Sequence, residues 1–288
     1  MTNPDVISNQ ALQDAFITRI ETIPLKVKMD RAATGSTLKL THRCTILTRI
    51  HTSTGIVGEC FNGNDDALQS AIINLIQQEL APQLIGHRVL AIEDAWSLTR
   101  KATEPFLRDR RVALRAQSCI DSAMHDVLGK TANLPIHVLW GGAKKQVRVF
   151  AIGGYYREKN DLEELAEEVE QLKDFGIHGL KLKLGGKSPQ EDARRAEVVR
   201  LKGGPDFLLG CDANQGWTVA QALEFTERTK DLKLDWLEEP CKWDNDRADM
   251  ARVRAFSGIP IAAGQSEISR FGSCLLYTSD AADDTPCV

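Results

Sequence analysis

Gly179-Leu180-Lys181-Leu182-Lys183-Leu184 is the stretch on which the reading of this chain turns. Side chains alternate across a strand, so both lysines point to one side and the leucines to the other. Gly179 and the three leucines make the segment apolar enough for a buried strand rather than a charged edge. Two buried ammonium groups then need anions nearby. A lysine beside another cation has a lowered pKa and can serve as a base.

Outward from it, short apolar strands at 147–152, 179–184, 207–211, 234–237 and 259–263 alternate with helical patterns at 162–175, 189–200, 218–232 and 247–256. The strands start roughly 30 residues apart, a spacing suited to repeated βα units. Such alternation predicts a parallel sheet covered by helices. An open doubly wound sheet and an eight-stranded βα barrel both fit. No Gly-x-Gly-x-x-Gly follows a strand, so dinucleotide binding is unsupported. Polar residues gather at the C-terminal ends of successive strands, where a βα barrel puts its chemistry. Five βα units follow an α+β first half in an α/β pattern, and a barrel would need three more.

Asp212-Ala213-Asn214 closes the third strand and Trp236-Leu237-Glu238-Glu239-Pro240 the fourth, where the proline turns the chain out of the sheet. Either carboxylate alone would be unremarkable. Carboxylates on adjacent strand ends, beside two lysines, form hard oxygen donors that suit Mg²⁺. The bland alternative is a salt-bridge network. Upstream, the strands expected are 17–28, 41–52 and 55–60, and the helices 67–80, 92–103 and 113–128, with Gly129 and Gly141-Gly142 marking the end. The domains expected are 1–145, of α+β pattern, and 146–272, the βα units.

From residue 273 the chain reads Ser-Cys-Leu-Leu-Tyr-Thr-Ser-Asp-Ala-Ala-Asp-Asp-Thr-Pro-Cys-Val. Back-translated, Cys274 to Asp283 resembles a transposon-type sequencing-library adapter read in frame. The segment 273–288 is therefore taken as non-native and kept out of fold reasoning. An ordinary polar tail is the plainer alternative.

The chain carries 36 Lys+Arg and 40 Asp+Glu, a net charge of −4. Near-neutral charge gives no footprint for nucleic acid. No apolar run would span a bilayer, and the start of the chain lacks the basic and apolar regions of a secretory signal. Cys44, Cys60, Cys119, Cys211 and Cys241 form no Cys-x-x-Cys pair, so reduced, buried thiols in a cytoplasmic protein are expected. The six histidines show no metal-ligand spacing.

The motifs Lys181-Leu-Lys183, Cys211-Asp-Ala-Asn-Gln-Gly-Trp217, Trp236-Leu-Glu-Glu-Pro240 and Ile259-Pro-Ile-Ala-Ala-Gly264, in that order, resemble the enolase superfamily, specifically the mandelate racemase/muconate lactonizing group. Ala116 to Lys130, followed by Leu134-Pro135 and Gly141-Gly142, is similar to that group's helix leading into the barrel. Each motif is weak alone. Their order and spacing over residues 15–272 are specific.

The resemblance implies an α/β fold, here a truncated (β/α)8-type barrel of about five of the eight units with an N-terminal α+β capping domain, and Mg²⁺ held by carboxylates at the ends of the third, fourth and fifth barrel strands. Asp212 and Glu238 match the first two. It implies Lys183 as the base that removes a proton α to a carboxylate, Lys181 as the residue that tunes it or touches the substrate carboxylate, and Asn214 near metal or substrate. At the fifth strand the group's usual Glu is replaced by Gln265, within Ala263-Gly-Gln-Ser-Glu267. Either Gln265 ligates through its neutral oxygen, or Glu267 does so if the backbone stays extended. Glu267 is preferred, since a third carboxylate better balances Mg²⁺ and two lysines.

The activity implied is dehydration of an acid sugar, a small-molecule carboxylate. A racemase or epimerase of the same group is the runner-up, because the acid/base pair from later strands is not in the chain. Specificity would lie in the loops 30–36 and 61–65. A homo-oligomer is expected for the full-length parent, with no nucleic-acid or membrane partner. Two further readings remain: an inactive fragment as written, with an open sheet edge, and a pseudoenzyme, against which the intact Lys181, Lys183, Asp212 and Glu238 argue.

Overall fold

A computed structural model describes residues 15–62, 66–269 and 272–274, in two compact units. The first holds the described residues up to Asp30 together with His42–Gln146. The second holds Arg31–Thr41 and the described residues from Val147 onward. Nothing in the sequence pattern marks Arg31–Thr41 as part of the second unit. Most of the segment 273–288, and residues 63–65 of the second expected specificity loop, lie outside the described residues.

The first unit is built on a three-stranded sheet in the order β1 (Ile17–Thr34), β2 (Lys39–Thr52), β3 (Val57–Asn62), with β2 and β3 antiparallel. Helices α1 (Asp66–Leu75), α2 (Ile92–Arg100) and α3 (Arg110–Ala132) supply much of its core, including Ile72, Ile120, Met124 and Val127. The single helix expected over 67–80 instead passes from α1 into a π turn, Ile76–Leu80, and a last helical turn, Ala81–Leu84. The ladder shifts to an i→i+5 bond, Ala81 N to Ile76 O, just before Pro82, which cannot donate. α3 lies close on β3: a Cβ at Gly58 would come 2.4 Å from Ala123 O and from Val127 Cγ2. Gly129 sits inside α3 and does not end it. Asn133, left-handed at φ 52°, is the C-cap. Asp109 caps the other end through Arg111 N.

The second unit holds a five-stranded parallel sheet in sequential order: β4 (Ala151–Gly153), β5 (Gly179–Lys183), β6 (Leu208–Asp212), β7 (Trp236–Glu238) and β8 (Ile261–Ala262). Between them run α4 (Asp161–Asp174), α5 (Pro189–Gly203), α6 (Val219–Arg228) and α7 (Asp246–Ser257). Reciprocal capping boxes start α5 (Ser188 with Glu191) and α6 (Thr218 with Gln221). Leu180, Leu182 and Leu209 pack with Val169, Ala196, Val199 and Phe225. All five residues of β5 are buried, which excludes the charged-edge reading.

The end strands are shorter than expected. Of 147–152 only Ala151 and Ile152 are in β4, and Val147 and Val149 are 73% and 61% exposed. Of 259–263 only Ile261 and Ala262 pair, with β7 alone. Among the described residues each of these strands has one neighbour in the sheet, and Pro260 has no N–H to donate to a ladder. Four of the five core-region cysteines are buried, and Cys60 is half-buried. No helix among the described residues is long and apolar enough to cross a membrane.

Candidate active site

Strand register assembles the site. Lys183 pairs with Asp212, Asp212 with Glu238, and Glu238 with Ala262, so one rung of the sheet runs through lysine, carboxylate and carboxylate. Parallel strands of matched register bring their last residues level, and the βα turns begin just beyond.

Asp212 is fully buried. Its Oδ2 accepts from Lys183 Nζ at 2.6 Å and lies 3.0 Å from Lys181 Nζ, and its Oδ1 accepts from Asn214 N at 2.9 Å. Lys181 Nζ also donates to Glu238 Oε1 at 2.7 Å. Lys183 Nζ donates to Asn214 Oδ1 at 3.0 Å. Trp236 Nε1 donates to Glu238 Oε2 at 3.3 Å. Both lysines are nearly buried, so the anions that their burial demanded are present. Burial alone would lower the Lys181 pKa, but hydrogen bonds and charge attraction from Glu238 and Asp212 outweigh it and raise it. The neighbouring carboxylates therefore set the direction for Lys181, where the sequence emphasised neighbouring cations.

The Lys181 ammonium bridges oxygens of Asp212 and Glu238, which shows that the two carboxylates converge on one cation. Hard oxygen donors of this kind fit Mg²⁺. Among the described residues, no group of three or more His, Cys, Asp and Glu is gathered as a metal site. The fifth-strand candidates explain why. After β8 the backbone turns rather than staying extended, with Glu267 N donating to Gly264 O at 3.1 Å. The condition for Glu267 to share the inward face by alternation is thus unmet. Its Oε1 lies 2.5 Å from Arg247 Nη2 on α7, and Gln265 is exposed.

Glu239, the second half of the Glu-Glu pair, carries no signal of its own in the sequence. It is buried at φ 38°, and its carboxylate accepts from Ser266 N (3.1 Å) and Ser266 Oγ (3.0 Å), tying the β7 end to the β8 turn. The Arg31–Thr41 segment contributes Ser36, whose Oγ donates to Ala213 O at 2.8 Å, between Asp212 and Asn214. Behind the Lys183 loop, Tyr156, Asp192 and Arg195 form a second buried polar group that periodicity did not single out. The available signal was position: Tyr156 follows Gly153-Gly154 at a strand's C-terminal end.

Residues 19–141 match the mandelate racemase/muconate lactonizing enzyme N-terminal domain, and 164–283 match the enolase C-terminal domain-like family. Arabinonate dehydratase of Saccharolobus solfataricus is 36% identical over 230 residues, 78% of this chain and 60% of the relative. D-galactarolactone cycloisomerase of Agrobacterium fabrum is 32% identical over 93% of this chain and 69% of its own length. A mandelate racemase/muconate lactonizing enzyme from a marine actinobacterium, solved in complex with magnesium, superposes with a TM-score of 0.82 at 40% identity, covering 91% of this chain and 70% of that one. The chain thus spans 60% to 70% of the length of these relatives.

Proposed function

This chain belongs to the mandelate racemase/muconate lactonizing enzyme group of the enolase superfamily, and on that premise we propose that the protein is an acid-sugar dehydratase. The observation that carries this is the rung Lys183–Asp212–Glu238, with Lys181 bridging the two carboxylates.

Lys183 takes the proton α to the substrate carboxylate onto Nζ. Loss of hydroxide from the β carbon then leaves an enol, which tautomerises to a 2-keto-3-deoxy acid. Asp212 and Glu238 would hold Mg²⁺, with a third ligand from the 264–267 turn, for which Glu267 is proposed over Gln265. Mg²⁺, when bound, supplies positive charge where negative charge gathers on the substrate carboxylate as the proton leaves. Asn214 and Lys183 are already joined by a hydrogen bond, so Asn214 fixes the direction from which the amine approaches. Lys181 balances the carboxylates and is placed to meet the substrate's own carboxylate.

The test is incubation with arabinonate and, separately, galactarate in D₂O with Mg²⁺, reading keto acid by semicarbazone absorbance and α-proton exchange by NMR. Keto acid from either sugar supports the dehydratase. Exchange without keto acid transfers the assignment to a racemase or epimerase. Absence of both with either sugar argues against the reading.

A further inference from the structure

Asp192 lies in the first turns of α5, fully buried, and does not touch the lysine–carboxylate cluster. Its Oδ1 accepts from Tyr156 Oη at 2.7 Å and its Oδ2 from Gly185 N at 2.9 Å. Tyr156 Oη in turn accepts from Gly186 N at 2.9 Å. One carboxylate and one phenol thus satisfy two consecutive backbone donors, starting two residues after Lys183. A loop end buried without such partners would leave those N–H groups at a cost.

Three other contacts show what this loop supports. Gly185 adopts φ +87°, and a Cβ there would come 2.3 Å from Ala213 O, so it lies directly against the backbone between Asp212 and Asn214. A Cβ on Gly186 would come 3.2 Å from Ser36 Cα and 3.3 Å from Gly35 O. Tyr156 N donates to Thr34 O at 2.9 Å. The phenol ring is held in turn by Arg195, whose guanidinium lies 4.4 Å from the ring centre and bonds to Gly154 O and Asp161.

We infer that the buried Tyr156–Asp192 pair is a positioning device that holds the loop after Lys183, the Asp212–Asn214 turn and the 34–37 segment in one register. Neither residue reaches the lysine–carboxylate cluster. They act through Gly185 and Gly186 on the residues that do. Misplacement of a base by an ångström from a distant change is enough to cost a large part of a rate. The catalytic part of this inference rests on Lys183 being the base; the structural part does not.

The test uses the whole chain as wild type, Tyr156→Phe, Asp192→Asn and the double variant. Amide hydrogen exchange is read by mass spectrometry on peptides covering 34–38, 183–188 and 212–217, with β2 and α3 peptides as internal controls. In Tyr156→Phe, exchange should rise about tenfold or more in all three peptides together, with the controls unchanged. With arabinonate as probe, kcat for α-proton exchange should fall about tenfold or more, with KM within about threefold. The double variant should be no worse than the worse single variant, because the pair acts as one unit. A rise confined to the 183–188 peptide, or equal rises in the controls, overturns the inference. So does an unchanged kcat in a variant whose three peptides have loosened. If Tyr156→Phe does not fold, the isosteric Asp192→Asn carries the same readings. If Lys183→Ala leaves exchange intact, the base assignment falls, and the amide measurement still decides the fate of the pair.

Discussion

Lys183 and Asp212 are neighbours twice over: partners in the β5–β6 register, and an ion pair of 2.6 Å between Nζ and Oδ2. Backbone pairing therefore delivers the side-chain pair, and neither strand can slip without breaking both. Lys181 shares the same Asp212 oxygen at 3.0 Å, so removal of one lysine leaves the buried carboxylate with the other.

Lys183→Ala should accordingly fold. The loss in stability should stay below the ~3–5 kcal/mol expected when a buried charge is left alone, because Lys181 remains. Exchange of the substrate α proton should fall by about 10²–10⁴-fold, the contribution expected of a general base. NMR in D₂O and urea denaturation check the two halves separately. Unchanged exchange would remove Lys183 from the reaction.

Mg²⁺ should raise the melting temperature, since a ligand that binds only the folded chain stabilises it by about 2.7 kcal/mol at a hundred times its Kd. Asp212→Asn should abolish this shift, because the fully buried Asp212 is the carboxylate that meets both lysines. Differential scanning fluorimetry with and without EDTA measures it. An equal Mg²⁺ shift in Asp212→Asn would place the ion elsewhere.

Gly185→Ala should destabilise the fold by about 1–3 kcal/mol, since the residue adopts φ +87° and the new methyl would meet Ala213 O at 2.3 Å. Gly204→Ala shares the unusual φ, at +90°, but meets nothing within 4 Å, and controls for backbone strain alone. Equal losses in the two variants would show that the close approach at Gly185 does not matter.

The sheet and its cluster were readable because they rest on period-two alternation and repetition. Leu180, Leu182 and the KxK lysines mark a buried strand whatever surrounds it, and Asp212 and Glu238 stand at equivalent strand ends. What could not be read depends on contacts between distant segments. Thr34 reaches Tyr156, and Ser36 reaches Ala213, across more than a hundred residues of chain. Asp192 resembles any acidic residue in a helix's first turns until Tyr156 is seen beside it. The turn after β8 defeated alternation because Glu239 captures Ser266 and bends the backbone before Glu267.

Acid should reveal Asp161. Burial pushes its carboxyl pKa up, but hydrogen bonds and charge from Arg195, the Arg157 N–H and Lys187 outweigh it, and the net direction is down. A depressed folded pKa gives stability that is fully present above the unfolded value, about 3.9, and lost as pH falls through the folded value. Asp192 has the opposite direction, since burial raises it, and its effect is common to both proteins compared. Urea melts of wild type and Asp161→Asn between about pH 5 and pH 2 should converge as pH falls. Parallel curves would show that the Arg195–Asp161 pair adds no pH-dependent stability.

The third ligand can be decided by releasing a competitor. Glu267 is engaged by Arg247 through Oε1 at 2.5 Å, a contact that competes with a metal for the same carboxylate. A ligand available for only part of the time lowers apparent affinity by that fraction. Arg247→Ala should therefore tighten Mg²⁺ binding if Glu267 is the ligand, by severalfold up to about tenfold, and Glu267→Gln should weaken it by about tenfold or more. Gln265→Ala should then change it little, since that side chain is exposed. If Gln265 is the ligand the pattern inverts: Gln265→Ala weakens binding, and the Arg247 and Glu267 variants lose only the stability of their surface-proximal pair. Isothermal titration of the three variants with MgCl₂ separates the cases without any substrate, because both patterns are read from the metal alone.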